Sequence, residues 1–189
     1  MLAGAVLAGG RSVRYGRNKA LEIFEGERLV DRAVRALGGH CSPVFLVAND
    51  LKPYLTVHAT LLRDVLPSQG PLGGIYTALL FSPNDWVAVR ATDMPIFVPE
   101  MLERMLALSR GGGDAVVPRL GEKYEPLFAL YHRRCIPAIA DVLEGPRRSV
   151  ISFYRKIRLN LFEEDQWRSV DPQGLSFRNV NNPEDWSTL

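Results

Sequence analysis

The sequence predicts an α/β fold: one three-layer domain in which a mainly parallel, Rossmann-like sheet is covered by helices on both faces. Three observations carry this. Short apolar runs alternate with helix-patterned segments at intervals of about 20 to 30 residues, the rhythm of parallel strands joined by crossover helices. At 189 residues, 47% hydrophobic and 23% charged, the chain can bury a substantial core and is too apolar for disorder. It has no internal repeat, no low-complexity tract and no linker long enough to divide it.

Each element follows from its residues. Residues 3–8 read as a buried strand ending in Gly9-Gly10. Leu29, Val30, Ala33, Val34 and Leu37 recur at helical spacing, and Gly38-Gly39 supplies the stop of a C-cap. Residues 43–48 form the second predicted strand, before Asn49, and residues 58–63 the third, before Asp64. Residues 73–81 carry an apolar helical face through Ile75, Ala78 and Leu79. Residues 86–92 form the fourth strand and run into Asp93. Pro99 takes the N1 position of a helix bearing Met101, Leu102, Met105, Leu106 and Leu108, which Gly111-Gly112-Gly113 ends. Residues 114–117 and 127–131 read as strands, and 136–143 as a helix. Residues 148–158 read as a second, basic helix, and 177–179 as a short strand before a turn or helix at 183–185.

Composition narrows the function classes. A net charge of +2 is too small to imply a nucleic-acid partner, and the cations are local, which suits a small anionic ligand. Cys41 and Cys135 make no disulfide framework, so a reducing, cytoplasmic compartment is expected. His40, His58 and His132 have no Cys or His partner at metal-site spacing and no place in a nucleophilic triad. No apolar run approaches the ~20 residues of a membrane span, and the opening segment lacks the marks of a signal peptide.

Ligands of a parallel sheet bind beyond the carboxyl ends of its strands, at a switch in strand order. The residues predicted there are Gly9, Asn49, Asp64 and Asp93, all expected on one edge. After Gly9-Gly10 the chain places Arg11, Arg14, Arg17 and Lys19 within nine residues. A strand feeding a glycine-rich cationic loop brings backbone N–H groups and charge to a phosphate chain. The loop is not a standard phosphate loop, because five residues separate Gly10 from Gly16 and Ala20 follows Lys19. No dinucleotide G-x-G-x-x-G is present either.

Each remaining motif has a plain structural alternative. Asp93 is either a carboxylate for Mg²⁺ or a helix-capping turn residue; its strand-end position favours the metal. Gly70, Gly73 and Gly74 either admit a base or sugar against the backbone or only satisfy a tight turn after Asp64. Asn179 and Asn181 face one side of a strand, suiting a polar ligand, or belong to an ordinary turn. Arg147, Arg148, Ser149, Arg155 and Lys156 make a cationic cluster that either meets a second anionic substrate or is a solvated face.

Five ordered blocks, LAGGRSVRYGRNKAL, DVLPSQGPLGGI, ATDMPIF, EPLFALY and NVNNPED, resemble the molybdenum cofactor guanylyltransferases of the nucleotidyltransferase superfamily. The resemblance runs nearly end to end and implies a nucleotide-binding half, about 1–110, and an acceptor-binding half, about 111–189. It implies transfer of GMP from GTP to the terminal phosphate of molybdenum-molybdopterin, with Mg²⁺ and release of pyrophosphate. By family likeness Leu7, Ala8, Gly9 and Gly10 hold the nucleotide through backbone, Lys19 and Arg14 meet its phosphates, and Asp93 binds Mg²⁺. Asn49, Asp64 and the bend at Gly70, Gly73 and Gly74 lie around the guanosine, while Arg148, Asn179 and Asn181 face the acceptor. Cofactor-insertion and molybdoenzyme chaperone proteins are the partners implied. Tyr15, Asn18 and Asn182 depart from the family's usual Met, Asp and Thr. Two alternatives are a related cytidylyltransferase and a nucleotide-binding protein that has lost catalysis. A nucleotide-sugar glycosyltransferase is disfavoured, because no Asp-x-Asp metal motif occurs.

Overall fold

A computed structural model describes residues 1–8, 18–146 and 149–180. Strand β1 (Leu2–Leu7) is followed by a small hairpin, β2 (Ile23–Phe24) and β3 (Glu27–Arg28), and by helix α1 (Leu29–Gly38). Then come β4 (Val44–Ala48), β5 (Thr60–Arg63), α2 (Gly70–Phe81), β6 (Trp86–Ala91) and α3 (Pro99–Ser109). The second half supplies β7 (Ala115–Leu120), β8 (Lys123–Tyr124), β9 (Phe128–His132), α4 (Ile136–Glu144), β10 (Leu159–Phe162) and α5 (Glu164–Arg168).

The main sheet runs β10-β7-β9-β6-β1-β4-β5, with β8 paired to β7. β1 lies parallel to both β4 and β6, β4 to β5, and β10 to β7. β9 enters antiparallel between β6 and β7. The chain steps outward from β1 through β4 to β5 and then returns to β6 on the other side of β1. That reversal, between β1 and β6, is the switch point, the place where sheets of this kind bind their ligands.

Period-two alternation divides the strand side chains between two apolar interiors. Leu2, Val6, Leu46, Ala48 and Ala88 pack with α1 and α3 on one face. Ala3, Ala5, Phe45, Val47, Val87 and Val89 pack with α2 and α4 on the other. Strands buried on both faces explain their uninterrupted apolar runs. No described helix is long and apolar enough to cross a membrane.

Several expectations need correction. The predicted basic helix is a 3-10 helix over Val150–Lys156, and β10 and α5 follow it unforeseen. Of the basic run's described residues, Lys156 pairs with Asp141 and Arg158 bonds Asp114 at the opposite edge of the sheet, while Arg147 and Arg148 lie outside the described residues. The expected strand at 177–179 is a 3-10 turn, Leu175–Phe177, running into irregular chain. Gly39 caps α1 with right-handed dihedrals, φ −70° and ψ −15°, so the glycine stop is not a left-handed cap. The turn expected at 183–185 lies outside the described residues.

Candidate active site

Asn49, Asp64 and Asp93 follow β4, β5 and β6 at the carboxyl edge of their parallel strands, as expected. Lys19 reaches the same edge from a 3-10 turn, Lys19–Leu21, capped by Asn18, whose Oδ1 accepts the Ala20 N–H. Its ammonium lies 3.5 Å from an Asp93 carboxylate oxygen, with the two side chains 15% and 34% exposed. This pair stands at the switch point, reachable by a ligand yet partly shielded from bulk water. Gly9, Gly10, Arg14, Arg148 and Asn181 lie outside the described residues.

Both stems of the amino-terminal loop meet at one buried residue. The Tyr54 hydroxyl donates to the Ala8 carbonyl, 3.2 Å away, and accepts from Asn18 Nδ2 at 2.9 Å. Tyr54 is 2% exposed, so this junction is an internal one. The Asn18 amide, where the family usually has Asp, can donate here while its oxygen caps the turn; a carboxylate could do only the second. Sequence reasoning missed Tyr54, an isolated aromatic in a loop.

Around Asp64 the backbone packs tightly. Asp64 Oδ1 accepts from the Thr77 hydroxyl at 2.9 Å and from the Leu66 N–H at 3.3 Å. Burial pushes its carboxyl above the ordinary aspartate value, and these two bonds oppose the rise. A Cβ on Gly73 would stand 3.1 Å from this carboxylate, and one on Gly74 would stand 3.0 Å from the Leu7 side chain. Both glycines thus have an intramolecular reason to be glycine, and Leu7, Gly74, Gly73 and Asp64 form a contiguous row at this edge. Gly70 opens α2 at φ +65°, a conformation that favours glycine. Three interstrand steps separate β5 from β6, so Asp64 and Asp93 stand about 14 Å apart along the edge. Asn49 is exposed beside them.

Two further residues converge on Asp93. Antiparallel pairing of β6 with β9 brings the Ala91 N–H to the Leu127 carbonyl and sets Glu125 opposite the Asp93 end. Burial pushes the Glu125 carboxyl up and the Asp93 charge adds to this, against a bond from the Leu127 N–H. The Val180 N–H donates to the Asp93 carbonyl at 2.8 Å, which draws Asn179 to this edge. Burial raises both thiols, Cys41 and Cys135, to about 12, which removes them as nucleophiles.

The chain matches known proteins over nearly all of its length. Residues 4–159 match the profile of the MobA-like NTP transferase domain. The molybdenum cofactor guanylyltransferase of Desulfosudis oleivorans is 32% identical, with 97% of this chain and 92% of that protein aligned. A probable molybdenum cofactor guanylyltransferase of Pelotomaculum thermopropionicum is 35% identical over 96% of this chain and 88% of its own. The crystal structure of molybdopterin-guanine dinucleotide biosynthesis protein A from Archaeoglobus fulgidus superposes with a TM-score of 0.85 at 25% identity, covering 100% and 96% of the two chains. With the sheet order and the matched sequence together, the chain belongs to the MobA-like NTP transferase family, among its molybdenum cofactor guanylyltransferases.

Proposed function

We propose that the chain transfers GMP from GTP to the terminal phosphate of molybdenum-molybdopterin. The observation that carries this reading is the Lys19–Asp93 pair at the switch point of a chain whose relatives bear that name. A phosphate oxygen of the acceptor attacks the α-phosphorus of GTP, a new P–O bond forms, and the α–β bridging bond breaks to release pyrophosphate. The attacking phosphate is already ionised near neutrality, so the step needs no histidine base. The obstacle is one anion approaching another, and positioning with charge neutralisation overcomes it.

Lys19 supplies a fixed positive charge to the triphosphate, and Arg14 a second. Asp93 offers one hard carboxylate oxygen set beside substrate phosphates, the donor type Mg²⁺ accepts, so the residues present fit that ion. Bound there, Mg²⁺ would polarise the phosphoryl oxygens and neutralise charge on the departing pyrophosphate. The backbone of Leu7, Ala8, Gly9 and Gly10 cradles the nucleotide, while Asp64, Gly70, Gly73, Gly74 and Asn49 surround guanosine. When ionised, Asp64 accepts from the guanine N–H groups. Arg148, Asn179 and Asn181 receive the acceptor, and cofactor-insertion and molybdoenzyme chaperone proteins exchange it in the cytoplasm.

A donor panel of GTP, CTP, ATP and UTP with molybdenum-molybdopterin and Mg²⁺, read by pyrophosphate release, tests the reading. GTP is the expected donor, and a preference for CTP would overturn the assignment. Asp93→Ala is expected to abolish Mg²⁺-dependent turnover while leaving the thermal transition in place.

A further inference from the structure

A charged residue sits where the fold gives it no obvious reason to be. Arg90 lies within the apolar strand β6, on the face that Trp86 and Ala88 share, and is wholly buried. Its guanidinium carbon stands 5.1 Å from the centre of the Phe97 ring and 4.9 Å from that of Phe128. Nη2 donates to the Met94 carbonyl at 2.6 Å and also to the Ile96 carbonyl. Nε and Nη1 find no acceptor among the described residues. Burying a guanidinium with two unmet N–H groups is costly, and an apolar residue of similar volume would serve the core at least as well.

What the arginine holds is the segment after Asp93. Between β6 and α3 the chain forms neither helix nor strand, so its carbonyls lack ladder partners. Four consecutive ones are nevertheless satisfied. Asp93 O accepts from the Val180 N–H, Met94 O and Ile96 O from Arg90, and Pro95 O from Arg32 Nε at 2.8 Å. Arg32 reaches across from α1, with its own guanidinium 4.9 Å from the Phe24 ring centre and paired to Glu25 at 2.8 Å. One arginine grips the loop from the interior and the other from the helix beside it.

We infer that Arg90 and Arg32 are positioning residues: together they lock the backbone of residues 93–96 so that the Asp93 carboxylate stands ready beside Lys19. This rests on the reading of Asp93 as the carboxylate for metal and phosphate. Neither arginine touches substrate in this scheme. Each acts through the loop, and both Arg90 bonds leave Nη2 of a planar group held against the Phe97 and Phe128 rings, an orientation a freely rotating ammonium does not keep. Preorganisation of this kind is expressed in the chemical step, because small displacements of a reacting arrangement are felt strongly there.

The test compares the full-length chain with Arg90→Met, Arg90→Lys, Arg32→Met and Asp93→Ala. Three quantities are measured: the melting temperature, amide hydrogen exchange of the segment 92–98, and kcat and KM for GTP. Arg90→Met is expected to melt within a few degrees of the parent, to exchange faster across 92–98, and to lose about a hundredfold in kcat. Its KM for GTP is expected to move by less than about threefold. Arg90→Lys restores the charge but not the planar group held against the two rings, so it should rescue little of the exchange protection or of kcat. Arg32→Met should shift exchange and kcat in the same direction by less. Unchanged exchange across 92–98 in both Met variants would overturn the inference, as would faster exchange with parental kcat. If Arg90→Met fails to fold, Arg32→Met decides on the same two criteria. A fully active Asp93→Ala would instead sink the reading of the site, and the exchange data would still report whether the arginines hold the loop.

Discussion

At the residue scale, Asp64 shows how a half-buried carboxylate is tuned by its surroundings. Its raised pKa means that folding holds the proton more tightly than the unfolded chain does, so the stability it contributes is present at low pH and lost as pH rises through the folded value. Asp64→Asn cannot ionise, and it is expected to be at least as stable at neutral pH in a thermal melt. Its KM for GTP should rise about 10- to 100-fold, the worth of a charge-assisted hydrogen bond. As pH falls, the parent's KM should climb earlier than an ordinary carboxylate would require, and the variant's should stay flat. Tyr54→Phe removes the hydroxyl that joins Ala8 to Asn18, with an expected loss of about 1 kcal/mol in denaturant unfolding. The edge positions of Asp64 and Asp93 were legible in the sequence because each follows a strand end, and that of Lys19 because it closes a cationic run that follows a glycine pair. Arg90 left one faint signal, a cation on the buried face of an apolar strand. Tyr54 and Thr77 left none, since their roles arise from contacts between segments distant in sequence.

At the element scale, the opposite edge of the sheet is tied together by Asp114. It accepts from Arg134 Nε at 2.7 Å and from the Arg158 N–H at 3.0 Å, joining the entries of β7, α4 and β10. Burial would raise its carboxyl, but the Arg134 and Arg158 bonds hold it down at about 2. A depressed folded value contributes stability above the ordinary aspartate range and loses it as pH falls toward 2. The expected contribution is about 2 kcal/mol, measurable as acid destabilisation of the parent that is absent in Asp114→Asn. The elements around β1, β4, β5 and β6 were readable because helical and strand periods differ sharply there, whereas the hairpin of β2 and β3 was not foreseen. Residues 148–158 misled because their basic side chains were grouped into one helical face, whereas tertiary contacts bind Lys156 and Arg158 to separate partners. The strand β10, Leu159–Phe162, was missed because it follows directly on the basic run that was read as helix up to Arg158.

For the whole molecule, chain order around the sheet explains why the two sequence ends share one site. β1 is central, so its carboxyl end lies at the switch point, and the described carboxyl-terminal segment returns there through Val180. That side chain is wholly buried against Phe24, Leu29 and Ile96, tying the tail to the amino-terminal hairpin. Val180→Ala is expected to cost about 2 kcal/mol in unfolding free energy. It should also lower turnover, because the same residue's N–H holds the Asp93 carbonyl. The parallel sheet and its layers were legible, but the antiparallel entry of β9 was not: its residues read equally well in either direction. The ammonium and carboxylate at the switch point carry one consequence beyond catalysis. In the resting chain each partly screens the other. On the proposed reading, a nucleotide and a divalent ion arriving together would exchange that couple for two better-matched attractions, and thermodynamic reciprocity would then require each guest to tighten the other's hold by the same factor.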